Sequence, residues 1–252
     1  MTDGIKKGRV YLDKCTSRLT NKNAEYQCGS KKTPVFTKPY TKKSANLYSK
    51  FSFKYGRIEI GVQMPRGDWI FPNILLEPNI KNNRNNGFSK DQIRLYSRGN
   101  EVLQNENYIF FDGRSVFGSV VVWHDTNFSE YWTVRENKDE LYYYDAPYNY
   151  TIIWQKDIIS FMVNGLHFGD ITNKTLLERF NEHECRIVLG LTAGGVINFD
   201  NEVLLKQDMK KKNYFLGTNL PNSENNFIEK YKDTEKTPLI VDYIRVYKLD
   251  NC

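Results

Sequence analysis

Histidine and cysteine are scarce in this chain: 252 residues hold three of the first and four of the second. His124, His167 and His183 show no metal-ligand spacing with one another or with the cysteines. No metal is therefore expected, and no Ser/His/Asp arrangement can be read. The glycines of GLTAGG (190–195) follow no phosphate-loop pattern, so no cofactor is expected. No apolar run is long enough to span a membrane, and the opening MTDGIKKGRVYLDK lacks the apolar stretch of a signal peptide. The net charge is +6, yet no helix-turn-helix, zinc-finger or RNA-recognition signature accompanies it. Nucleic acid is set aside as a partner. Helical periodicity is almost missing as well.

What is present points to strands. Seventeen tyrosines and fifteen phenylalanines suit pleated, half-buried surfaces. Strand signals cover residues 9–20, Phe51 to Met64, Gln92 to Ser97, Val116 to His124 and Tyr131 to Glu136. They resume at Tyr150 to Trp154, Ile158 to Val163, Arg186 to Thr192 and Leu239 to Leu249. Turn residues separate them, and Asn164-Gly165 is a favoured tight-hairpin dipeptide. One helix is expected at Asn173 to Asn181, capped by Thr172 or Asn173. Many short strands with so little helix predict an all-β sandwich. Neither an internal repeat nor a second core is visible. The expectation is a single domain over 1–252, loop-rich at 1–40 and 200–237.

The segment Asp91 to Asn100, DQIRLYSRGN, carries the most chemical information. Alternation across a strand puts Gln92, Arg94 and Tyr96 on one face and Ile93 and Leu95 on the other. The apolar pair reads as the core side, leaving the polar trio on an open face. Carboxylates at those positions would suggest a glycosidase, which needs two of them flanking one bond. An amide, a guanidinium and a phenol stand there instead.

With its surroundings this strand resembles the β-glucanases of glycoside hydrolase family 16. It resembles more closely their non-catalytic arthropod relatives, the β-1,3-glucan recognition or Gram-negative bacteria-binding proteins. The likeness lies in KSANLYSKFSFKYGRIEIGVQMPRGDWIFPNILLEP (43–78), SRGN (97–100), NYTIIWQKDIISFMVNG (149–165), LGLTAGGVINF (189–199) and VDYIRVYKL (241–249), in the family's order. The resemblance implies a concanavalin-like jelly roll of two curved antiparallel sheets with a concave groove. Active relatives carry Glu-x-Asp-x-Glu, or the same with a bulge residue. Without a bulge, these degenerate catalytic positions are Gln92, Arg94 and Tyr96; with one, they are Asp91, Ile93 and Tyr96. The first register keeps Ile93 and Leu95 inside and is preferred. Either way the dyad is broken. Glu59, Glu77 and Glu101 are the acids that could stand in, and Glu59 reads as structural. Leu75 replaces a second tryptophan, and Val122 replaces a histidine.

The carbohydrate-binding candidates are Trp69, Trp123, Tyr96, Arg94 and Gln92. Trp123 reads equally well as core filling, and for Arg94 an internal ion pair with Asp91, Glu101 or another cleft acid is the favoured reading. Arg98, Gly99 and Asn100 read as a structural turn. A Cys15–Cys28 disulfide is implied by a cysteine pair at the corresponding place in the family. Cys185 reads as a buried thiol, and Cys252 is unassigned. Sequons stand at Asn127, Asn149 and Asn173. Together with the disulfide they suggest an extracellular protein whose leader and upstream glucan-binding module lie outside this chain. The expected function is non-catalytic recognition of microbial β-1,3-glucan, or of lipopolysaccharide or teichoic acid. Immune serine proteases are the expected protein partners. An active endo-glucanase and a protein scaffold with a vestigial cleft are the alternatives.

Overall fold

The structure is a computed structural model describing residues 5–6, 9–10, 46–67, 70–80, 91–100, 103, 109–124, 127–137, 141–193, 198 and 238–249. The expected disulfide Cys15–Cys28, Cys252, Trp69, Glu101 and most of the predicted opening strand lie outside these residues. So do residues 11–45 and 199–237, which take in most of the segments expected to be loop-rich, 1–40 and 200–237.

Alternating apolar residues fold into two antiparallel sheets, as the strand pattern predicts. One sheet has five strands: β4 (Gly56–Gln63), β9 (Tyr148–Trp154), β10 (Ile159–Val163), β11 (Leu166–Ile171) and β13 (Ile240–Tyr247), in the order β11-β10-β9-β4-β13. The other has six: β3 (Asn46–Tyr48), β5 (Ile70–Pro78), β6 (Gln92–Tyr96), β7 (Ser115–His124), β8 (Asn127–Glu136) and β12 (Cys185–Ala193), ordered β3-β12-β5-β6-β7-β8. A short pair, β1 (Ile5–Lys6) and β2 (Arg9–Val10), stands apart. The core between the sheets takes Ile58, Ile60 and Val62 from β4, Ile93 and Leu95 from β6, and Tyr150, Ile152 and Trp154 from β9. Each aliphatic side chain so buried contributes about 1.5–3 kcal/mol.

Particular residues decide the details. Asn164 and Gly165 both have positive φ, at 48° and 75°, which the tight hairpin from β10 to β11 requires. Gly118 leaves room on the core side of β7 for the Phe161 ring, which lies 2.2 Å from where a Cβ would stand. β5 is not among the strands predicted from sequence. Its prolines argue against a central strand, but Pro72 lies outside the stretch paired with β6, which is Leu75 and Leu76. The helix α1 (Lys174–Asn181) starts at Asn173, not Thr172, and buries Leu176, Leu177 and Phe180 against the same core. Cys185 is fully buried there, and burial pushes its thiol up to about 12.

Candidate functional site

The face of the six-stranded sheet turned away from the core is built from register. β6 pairs with β7 from Gln92↔Val121 to Tyr96↔Phe117 with no bulge. Gln92, Arg94 and Tyr96 therefore share the outer face, while Ile93 and Leu95 lie fully buried in the core. One row across the sheet runs Tyr48, Val188, Leu75, Arg94, Ser119, Trp132.

The expectation of an open polar face needs correction at two of the three positions. Tyr96 is only 1 % exposed and Arg94 only 5 %. Phe71, Tyr96, Phe111 and Phe117 form a second apolar cluster on this face, with Leu103, Ile109 and Val134 packed against it. The segment around Phe111 covers the sheet, held by Phe111 N donating to Leu103 O at 2.7 Å and Leu103 N to Asp112 at 3.0 Å. The Arg98 guanidinium stands within 5.0–5.6 Å of all four rings and donates to the Asn198 carbonyl. At Gly99 a Cβ would meet the Gly67 carbonyl oxygen at 2.6 Å, and Asn100 is buried. This agrees with a structural role for the Arg-Gly-Asn turn.

Arg94 makes no ion pair with Asp91. Its Nε donates to Gln92 Oε1 at 2.7 Å and its Nη1 to Asn198 Oδ1 at 3.5 Å, and it lies 5.7 Å from the Phe71 ring centroid. Burial lowers its pKa, and the charge of Glu130 works the other way. Asp91 instead closes on Arg179 of α1 at 2.7 Å and accepts from the Trp123 N–H at 2.9 Å. Arg179 also donates to the Trp123 carbonyl. Trp123 is thus held by its main chain at the rim of the face. Its half-buried indole packs on Phe128 at 5.5 Å, outside both apolar clusters, with Nε1 buried.

The register puts on this face Glu77, which the sequence offered as a stand-in acid, and Glu130, which it did not, with Glu136 at the end of β8. Glu130, on β8 opposite Val121, accepts from Ser119 Oγ at 2.6 Å and Tyr96 Oη at 3.2 Å. Glu77 on β5 is held by Arg186 at 2.5 Å, and that guanidinium lies over Tyr48. Three strand spacings, about 14 Å in all, separate β5 from β8. The carboxyls of a glycosidase stand at most about 9.5 Å apart. Glu59 belongs to the other sheet, where Arg57 binds it, so it does not reach this face. Val122 is buried in the core, so the position read as a lost histidine does not lie on this face of the sheet. Leu75 does face it, beside Arg94.

Sequence reasoning missed two polar or aromatic features that remain accessible. Trp132 stands two strands from Arg94 in the same row and is 38 % exposed, its ring set edge-on to Phe111 and Phe117. Alternation from Tyr131 could have found it, but only with the β7–β8 register. At the opposite side, Asn73 Nδ2 donates to Asn46 Oδ1 and to Thr192 Oγ1, each at 2.9 Å. Gly190 lies between the two asparagines in the ladder. Asn73 Oδ1 and the Asn46 amide nitrogen are the polar ends of this group that it does not use internally.

Comparison with known proteins places these features. The sequence family described as glycosyl hydrolases family 16 matches residues 12–212. Gram-negative bacteria-binding protein 2 of Drosophila melanogaster is 31 % identical over 250 residues, 93 % of this chain and 50 % of that protein. Beta-1,3-glucan-binding protein 1 of Manduca sexta is 29 % identical over 272 residues, 98 % of this chain and 52 % of that protein. The chain thus spans about half the length of these relatives. The fold is similar to the catalytic domain of an endo-1,3-beta-glucanase (laminarinase) from Thermotoga petrophila, with TM-score 0.53 and 18 % identity over 82 % of this chain and 69 % of that one. It is likewise similar to the laminarinase from Rhodothermus marinus, with TM-score 0.53 and 17 % identity over 81 % and 70 % of the two chains.

Proposed function

Because the chain belongs to glycosyl hydrolases family 16, we propose that it is a single glucanase-like domain that binds polysaccharide on its concave face without cleaving it. The observation that carries this reading is the state of the acids. Among the described residues, alternation puts three carboxylates on that face, and no two stand at a glycosidase's spacing: Glu77 on β5 is held by Arg186, Glu130 on β8 accepts from Ser119 and Tyr96, and Glu136 lies six residues, about 20 Å, further along β8. Gln92, Arg94 and Tyr96 occupy the strand where the active members hold their nucleophile and acid. Losing a general acid alone costs typically a hundred- to ten-thousand-fold, and among the described residues Glu130, which stands beside Tyr96, has no second acid within a glycosidase's spacing.

The relatives named as binders of β-1,3-glucan and of Gram-negative bacteria supply the ligand class. A microbial β-1,3-glucan, or another bacterial surface polymer, would lie across the strands. Trp132 and Trp123 would stack on pyranose rings, since a sugar's CH face suits an aromatic plane. Gln92, Asn46, Asn73 and Thr192 would bond hydroxyls. This role is pattern recognition in innate immunity, outside the cell, with immune serine proteases downstream. No described helix is long and apolar enough to cross a membrane.

Binding to insoluble β-1,3-glucan tests the reading at its contacts. Trp132→Ala should weaken retention about tenfold, equivalent to about 1.4 kcal/mol, and Asn73→Ala should weaken it less. Leu166→Ala, on the far sheet, should leave it unchanged. Equal retention of all three variants would remove the concave face as the binding surface.

A further inference from the structure

Two of the three sequons have described side chains, and the fold treats them in opposite ways. Asn149 lies in β9, between β4 and β10 in the five-stranded sheet. Its main-chain N–H donates to Asn164 Oδ1, and its carbonyl accepts from Asn164 N. Its Oδ1 accepts from Thr151 Oγ1 at 3.1 Å, and its Nδ2 donates to Tyr243 Oη at 2.8 Å. The other two sequon residues, Tyr150 and Thr151, are 0 % and 2 % exposed. Tyr243 lies flat across the neighbouring strand, where a Cβ on Gly61 would meet its ring at 2.4 Å. A sugar on Asn149 Nδ2 would have to displace that ring and expose Gly61 and the ladder beneath.

Asn173 is the N-cap of α1, and Lys174 and Thr175 are exposed beside it. Capping uses only its Oδ1, which accepts from Leu176 N at 3.3 Å. The Nδ2 takes no part. An N-linked sugar replaces one hydrogen on that nitrogen and leaves the amide oxygen in place, so cap and glycan are compatible. About 9 Å of helix separates Asn173 from Arg179, which keeps the attachment point away from the concave rim that Arg179 braces.

We propose that Asn173 is an N-glycan acceptor of this chain and that Asn149 is not. In the transfer, Asn173 Nδ2 gives up a proton and bonds to C1 of an oligosaccharide carried on a polyprenyl diphosphate. The bond from C1 to the diphosphate oxygen breaks, the diphosphate leaves with its electrons, and nothing is oxidised or reduced. The inference depends on passage through a secretory pathway and not on what the concave face binds.

The test is the full chain behind a secretory leader in insect cells, recovered from medium and lysate, with glycopeptides mapped by mass spectrometry before and after enzymatic deglycosylation. The Asn173 peptide should carry glycan and the Asn149 peptide should not. Thr175→Ala destroys the sequon but keeps the cap, so it should lose one glycan mass with thermal stability unchanged. Asn173→Gln should lose the same mass and also some stability. An unmodified Asn173, or glycan on Asn149, would overturn the proposal. Retention on β-1,3-glucan should be the same for Thr175→Ala as for the unaltered chain, which keeps this result separate from the recognition reading.

Discussion

Tyr96 couples stability to alkaline pH. Burial raises its pKa first, and the neighbouring Glu130 charge raises it further. In the unfolded chain the phenol releases its proton near pH 10, while in the folded chain it keeps it to higher pH. Its contribution is therefore complete below about pH 10 and is lost as pH climbs towards the folded value. Tyr150, also fully buried, acts in the same direction. Tyr96→Phe should cost about 1 kcal/mol at neutral pH through the lost bond to Glu130, and should flatten part of the stability loss above about pH 10. Denaturant titrations across pH 7–11 would show both effects. An unchanged alkaline slope would place the coupling elsewhere. The identities of Gln92, Arg94 and Tyr96, and their common face, were legible from alternation alone. That Tyr96 is closed over was not, because Phe71 and Phe111 reach it from distant parts of the chain. Glu130 and Trp132 were invisible for a related reason: their relevance is a matter of cross-strand register, which no local pattern carries.

At the scale of elements, two joints can be probed. Gly118 stands where β7 faces Phe161, and a methyl there overlaps the ring. Gly118→Ala should destabilise by about 1–3 kcal/mol, the usual cost of overpacking, measured as a lower denaturation midpoint with an unchanged slope. The second joint ties α1 to the end of β7 through Asp91 and Arg179. The Arg179 guanidinium is 40 % exposed, so solvent screening limits the pair to about 1 kcal/mol or less. Asp91→Asn should hardly move global stability yet speed amide hydrogen exchange in α1 and at Trp123. Unchanged exchange at both places would mean that the helix is held by Leu176, Leu177 and Phe180 alone. Local signals located most of these elements: the Asn-Gly turn, the alternating strands, and the helix start at an asparagine. β5 escaped because its prolines speak against a strand, and only the register shows that Pro72 pairs with β12 and has no partner on β6.

The whole molecule keeps the two-sheet scaffold of its family, and the outer face of the six-stranded sheet is divided among three kinds of surface. An aromatic cluster closes one part, neutral amides line another, and Glu77 and Glu130 are held by neighbouring side chains. Length, composition and ordered motifs were enough to read the sandwich and the family. Where a glycan would lie on it depends on which parts of the face the chain itself covers, and that follows from packing. The central claim is binding without cleavage. It is tested by incubating the chain with soluble laminarin and insoluble curdlan in parallel, following reducing-end release in one and protein retention in the other. The account predicts retention on curdlan with reducing ends no higher than for the Glu130→Gln variant. Reducing-end release that Glu130→Gln abolishes would contradict it, and would make Glu130 a working acid instead of a half-buried hydrogen-bond acceptor.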